Sequence, residues 1–188
     1  MKKQNDQKGF LPKYWWIFPV AVIIIMAMYF LFASSLFEDK PDTFGKKHPI
    51  LKEMEYNIPL KEGEVLAEVG DDGFTEDDYL QVWDGIQGGI YQYRFYYPAL
   101  PDGEVFLRCF EVTENIALSA SRLKDASTVE VKNHTEFGLI ADMQQFIIYE
   151  GDWEDYYAAR IEVWHRNAST GEETKLLEKI YRVEGWMR

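Results

Sequence analysis

Two patterns of hydrophobicity divide the chain. From Trp15 to Ala33 no residue carries a charge and almost none is polar, whereas beyond about residue 56 apolar residues come in short runs broken by Gly, Pro, Asp and Asn. The first pattern predicts one helix. Its 19 residues, at about 1.5 Å of rise each, reach nearly the thickness of a bilayer's hydrocarbon core. An apolar surface on all sides suits lipid better than the core a chain of this size can build. Pro19 falls in the opening turns, where its missing N–H does little harm, and Tyr14, Trp15 and Trp16 stand where interfacial aromatics belong. Residues 14–37 are therefore read as a single transmembrane helix with the lipid bilayer as its partner.

Charge orients that helix. Lys2, Lys3, Lys8 and Lys13 precede it against Asp6 alone, and Glu38, Asp39, Lys40 and Asp42 follow it. The positive-inside rule then makes residues 1–13 a cytoplasmic tail and places the remainder outside, as a single-pass protein of the cell membrane with a periplasmic or extracellular domain. A cleavable signal peptide also needs a basic start, an apolar stretch and small residues such as Ala33, Ser34 and Ser35. Its apolar region, however, is ordinarily about 7 to 15 residues, shorter than this one. No cysteine follows Ala33 closely enough for lipoprotein processing.

Residues 38–55 mix charges with Pro41, Gly45 and Pro49 and follow neither a helical nor a strand period, which predicts a flexible tether. Residues 56–188 then read as one mainly β domain. Candidate strands are Val65–Val69, Leu80–Trp83, Ile90–Tyr97, Glu104–Val112, Thr128–Val131, Gln145–Tyr149, Ala158–Arg166 and Lys175–Glu184. Turn chemistry joins them at Asp84–Gly89, Ala99–Gly103 and Asn167–Glu172. In the last pair, Ala159, Ile161 and Val163 alternate with Arg160, Glu162 and Trp164, and Leu177, Tyr181 and Val183 alternate with Glu178, Arg182 and Glu184. One face of that hairpin is predicted dry and the other wet. The expected architecture is an antiparallel β-sandwich, immunoglobulin-like or jelly-roll-like. Two segments fit less well: Thr75–Asp78 resembles a capping box, and Glu114–Lys124 suits a short helix as well as an edge strand.

Composition narrows the partners. The net charge of −12 sits on a chain whose first 13 residues are positive, so the outer domain repels polyanions and nucleic acid is not an expected ligand. With 47% hydrophobic and 16% aromatic residues the outer part is too apolar for a disordered stalk. Cys109, the single cysteine, excludes an intramolecular disulfide and reads as a buried small hydrophobe.

Candidate chemistry is sparse. Tyr91, Tyr93, Phe95 and Tyr97 share one face of a strand and most simply fill the core. Trp153, Tyr156, Tyr157 and Trp164 are the candidate binding residues: three crowd an acidic loop, and Trp164 is in phase with Arg160 and Glu162 on the predicted wet face. The acidic loops Asp71–Asp72, Glu76–Asp78 and Glu150–Asp155 offer oxygens for calcium but no EF-hand spacing, and solvated charge is the commoner explanation. His48, His134 and His165 have no paired metal-ligand spacing, and there is no nucleophile elbow. No catalytic residue, metal ligand or cofactor is assigned. The expectation is a membrane-held binding module for a protein or glycan. The alternatives are an envelope accessory, inhibitor or immunity protein for a basic partner, and an envelope hydrolase, which a cleft converging on two carboxylates would favour.

Overall fold

The alternating stretches pair into sheets. The computed structural model describes residues 19–26, 28, 43–61, 64, 75 and 79–186. The chain divides into two compact units, Met1–Lys40 and Pro41–Arg188. In the first, residues 19–26 and 28 are helical and their side chains exposed. Most of the expected membrane segment 14–37 lies outside the described residues, and no helix among the described residues is long and apolar enough to cross a membrane. The candidate strand Val65–Val69 and the capping box beyond Thr75 also lie outside them.

Among its described residues the second unit has eight strands: β1 (Leu80–Asp84), β2 (Ile90–Tyr97), β3 (Gly103–Glu111), β4 (Ala117–Leu118), β5 (Val129–Val131), β6 (Gly138–Ile147), β7 (Tyr157–Asn167) and β8 (Glu173–Val183). One sheet has the order β1-β2-β6; the other runs β4-β3-β7-β8, with β5 also on the edge of β3. Every strand pair is antiparallel. A single core draws on both sheets, with Tyr91, Tyr93, Phe95 and Phe146 from one and Leu107, Cys109, Ile161, Val163 and Tyr181 from the other. The aromatic row of β2 thus fills the core, and burial pushes the Cys109 thiol up. The dry face of the β7–β8 hairpin is buried as its alternation predicts, but Glu162 on the other face is buried too, held by Arg160 and Lys175.

Both open sides of the two sheets are closed. On one side β4 and β5 leave a gap along β3, and the helix Ala120–Ser127 fills it. Leu123 of that helix enters the core, while Ser127 Oγ accepts the Leu107 N–H at 2.9 Å and its carbonyl accepts Tyr93 Oη–H at 2.7 Å. Segment 114–124 is therefore part edge strand and part helix. On the other side residues 57–60 cross from β8 to β1, making parallel bridges at Asn57–Tyr181 and Leu60–Trp83. Their N–H groups donate to Ile180 and Val82, each at 2.8 Å. Sheet edges left bare invite pairing with other chains, and both are blunted here.

The segment expected to be a tether is not free where it is described. Phe44–Lys47 forms one helical turn, and the Phe44 ring packs edge-on against Tyr157 with centroids 5.1 Å apart. Gly45 is buried so close to Asp155 that an added Cβ would lie 2.4 Å from its carbonyl oxygen. His48 is buried with Nδ1 3.5 Å from Glu111 Oε2 and 3.4 Å from Thr113 Oγ1. Single side chains finding single partners leave no periodic trace in a sequence.

Candidate functional site

The antiparallel register gives the domain two distinct ends. Gly103 faces Asn167 at one, and Glu111 faces Ala159 at the other. At the second end the β1–β2 turn, the β6–β7 loop and the exit of β8 converge on a cleft of about 360 Å³ lined by Asp84, Gly85, Ile86, Gln87, Gly88, Trp153 and Glu184. That volume is in the range of small-ligand sites.

Backbone contacts frame the cleft. Gly89 adopts φ 77°, a left-handed conformation that costs glycine little, and its carbonyl accepts the Ile148 N–H at 2.9 Å. The Ile148 carbonyl in turn accepts the Trp186 N–H at 2.8 Å. A Cβ on Gly89 would lie 2.1 Å from Trp186 N, and one on Gly185 would lie 2.3 Å from the Glu150 carbonyl oxygen, so these backbones meet only because side chains are missing. Glu154, at φ 60°, donates its N–H to Glu184 Oε2 at 2.6 Å and pins the β6–β7 loop to the exit of β8.

Two rim side chains stand in solvent: Ile86 is 89% exposed and Trp153 is 56% exposed. Between them Gly88 presents bare backbone. A Cβ there would lie 2.8 Å from Trp153 Cδ1 and 2.7 Å from Glu184 Oε1, so ring and carboxylate converge on this residue. Burial pushes Asp84 above its ordinary 3.8, although Arg182 and Lys61 pull the other way. Burial likewise raises Glu184 above 4.5, with Asp84 adding to the effect and the Glu154 N–H and Arg182 opposing it.

The four residues singled out in the sequence do not form one site. Trp153 lines the cleft. Tyr156, 41% exposed, lies next along the same loop with the Arg182 guanidinium 4.6 Å from its ring. Tyr157 is not a surface residue: it is 0% exposed, opens β7, and donates its hydroxyl to the Glu150 carbonyl at 2.6 Å. The strand alternation that buries Ala159 and Ile161 also turns Tyr157 inward, and this decides against a ligand role. Trp164 lies seven residues further along β7, about 23 Å away at the usual strand rise. Its ring is capped by Arg108 at 4.2 Å and its indole N–H donates to Glu162 at 2.8 Å, so its polar handle is already used.

Asp71–Asp72 and Glu76–Asp78 lie outside the described residues, and the remaining candidates within them are structural. Glu150 accepts the Ser119 N–H and hydroxyl, Asp152 the Trp153 N–H, and Asp155 the Lys46 N–H. His134 Nε2 lies 2.9 Å from the Tyr97 carbonyl and His165 Nε2 3.0 Å from that of Pro101, both at the end away from the cleft. No group of three His, Cys, Asp or Glu able to hold a metal occurs among the described residues. Asp84, Ile86, Gly88 and Glu184 were not recognisable as a set from the sequence. The one available signal was Ile86, a bulky apolar residue between two glycine sites in a turn.

Comparison with known proteins finds no matching family model, no matching curated protein and no matching solved structure.

Proposed function

We propose that this chain is a single-pass membrane protein whose outer domain is an immunoglobulin-like β-sandwich that binds a protein or glycan through the cleft at one end. The observation that carries the reading is that cleft, where an exposed Trp153 and an exposed Ile86 flank the exposed carboxylate of Asp84 and the half-buried one of Glu184. The membrane placement rests on the uninterrupted apolar run of residues 15–33, the lysines before it and the acids after it. The immunoglobulin-like assignment rests on the strand order β1-β2-β6 against β3-β7-β8. It is also supported by Tyr157, which opens β7 and bonds back to the Glu150 carbonyl as a tyrosine corner does.

One observation favours a hydrolase instead, namely the shared cleft of Asp84 and Glu184. A carboxylate pair that works as acid and base needs environments pushing the two pKa values apart. Burial raises both here, and the lining offers them no histidine, serine or cysteine to work with. Binding is the better reading.

The test has two arms. A tag after Arg188 should be digested by protease added to intact cells; protection until lysis would refute the topology. The domain from Pro41 onward should then be displayed to glycan arrays and envelope proteins beside Trp153→Ala and Ile86→Ser. A ligand lost by both variants places recognition in the cleft, and a ligand kept by both removes it.

A further inference from the structure

We infer that the cleft formed by Asp84–Gly88, Trp153 and Glu184 is a subsite for one organic cation, the guanidinium or ammonium head of a side chain on a basic partner protein. The inference rests on the binding reading above and names the ligand chemistry of that site.

The chain itself shows the pattern. Three times in the described residues an arginine lies over an aromatic ring while pairing with a carboxylate. Arg108 covers Trp164 and pairs with Glu173. Arg94 covers Trp83 at 5.5 Å and pairs with Asp142 at 2.7 Å. Arg160 covers Phe110 at 5.2 Å and pairs with Glu162 at 2.9 Å. The lining of the cleft repeats the ring and the carboxylate and includes no Lys or Arg. Among the described residues Trp153 has no ring or cation against its face and its indole N–H no acceptor, while Glu184 Oε1 and the ring edge converge over the bare backbone of Gly88. A cation over a tryptophan face is attracted by the ring quadrupole, and more strongly when partly desolvated.

The charges facing the space agree. Arg182 and Lys61 act on Asp84 from one side, and Glu64 and Glu154 add negative charge to Asp84 and Glu184 respectively. Arg182 stands near both acids and lies over the Tyr156 ring at 4.6 Å with its Nε buried and unpartnered among the described residues, but it is not among the residues lining the cleft. A neutral sugar would hydrogen-bond these carboxylates without adding a charge, whereas an arginine or lysine head makes charge-assisted hydrogen bonds to them. Ile86 on the rim offers apolar contact to the surface around such a side chain. A chain of net charge −12, whose positive excess lies in its first 13 residues, steers a basic protein toward this domain.

The test uses the full chain in nanodiscs of zwitterionic lipid and follows tryptophan fluorescence. The probes are an arginine-bearing Gly/Ser peptide, its citrulline counterpart and a chitin oligosaccharide. The arginine peptide should quench saturably and weaken with salt, and the citrulline peptide should not bind. Asp84→Asn with Glu184→Gln should weaken binding about 30-fold, and Trp153→Ala about fivefold or more. Glu136→Gln with Glu172→Gln, exposed acids at the other end, should change nothing. Unchanged thermal unfolding of the variants shows that they fold. Equal binding of the citrulline peptide, or full affinity in the double carboxylate variant, overturns the inference. Salt-insensitive binding of the oligosaccharide alone overturns it too, while leaving the cleft as a binding site; failure of all three probes overturns it and returns the wider reading to the array test.

Discussion

The two ends of the domain use the same kinds of residue to opposite effect. At the end away from the cleft, polar groups are spent on one another. The Leu100 N–H reaches the His134 carbonyl, Asp102 accepts the Asn133 N–H on its side chain and the Ala168 N–H on its backbone, and Asn167 Oδ1 caps Ser169 and Thr170. Both histidines there bond to backbone carbonyls. At the cleft end, glycines hold the backbones together and leave Ile86, Trp153, Asp84 and Glu184 facing outward. Binding residues commonly sit on loops positioned by a rigid scaffold, and the cleft end places Ile86, Trp153, Asp84 and Glu184 in that way. The difference also predicts how each end fails, because at the cleft end one buried carboxylate, that of Glu111, serves several groups at once, whereas each histidine at the far end makes a single bond.

Glu111 tests that difference. It is 0% exposed, accepts the Thr113 and Glu114 N–H groups at 2.5 and 2.8 Å, and faces the buried His48. Glu111→Ala strands these groups and should cost about 3 to 5 kcal/mol in urea unfolding, releasing segment 43–48 to faster hydrogen exchange. His165→Ala, at the far end, loses a single bond to Pro101 and some packing, and should cost about 2 kcal/mol while leaving ligand affinity unchanged. If the far-end substitution proved the more damaging, the contrast between the two ends would collapse.

The sequence revealed whatever repeats along a strand. Strands β2, β3, β7 and β8 were legible to within a residue or two because alternation places Tyr91, Tyr93, Ile161 and Val163 on one buried face. The first half of β6 was missed because Gly138, Asp142 and Gln144 dilute its pattern and Met143 breaks the strand backbone at φ 51°. Phe44 and His48 fall in the predicted tether because each makes a solitary contact that no periodicity announces. The cleft was illegible for a related reason: Asp84 and Glu184 line one cleft only because the ends of two strands from different sheets come together, and nothing local distinguishes either from a solvated acid. Tyr157 shows the reverse error, in which proximity to Trp153 and Tyr156 obscured the phase that turns it inward.

Gly88 separates stability from recognition at the cleft end. An added methyl meets the exposed Trp153 ring, which can swing aside, and the Glu184 carboxylate, which the Glu154 N–H holds, so Gly88→Ala should cost about 1 kcal/mol of stability. The same methyl occupies the space where ring and carboxylate converge, and affinity for any cleft ligand should fall about tenfold, or 1.4 kcal/mol. Isothermal titration beside thermal unfolding reads both quantities. A large loss of stability with unchanged affinity would make Gly88 part of the frame.

The finest test is a pH dependence whose sign differs between regions. Asp84 and Glu184 have folded pKa values raised by burial above 3.8 and 4.5, so in the window above those values the native state holds more protons than the unfolded chain. Stability then falls as pH rises through that window, and the cost remains at neutral pH. Asp84→Asn with Glu184→Gln removes it, so the variant should be more stable than the parent at neutral pH, by less than about 1 kcal/mol given solvent screening. That advantage should fade as pH falls into the ordinary carboxylate range. Glu173 behaves oppositely: hydrogen bonds from Lys124 and Arg108 hold its pKa below 4.5, so its contribution is present above 4.5 and lost on acidification. Glu173→Gln should therefore be the less stable variant at neutral pH, with its deficit closing in acid. Urea unfolding across a pH series distinguishes the two. A double cleft variant less stable than the parent at neutral pH would mean that Asp84 and Glu184 are satisfied within the fold, and the case for a cleft that awaits a ligand would be lost.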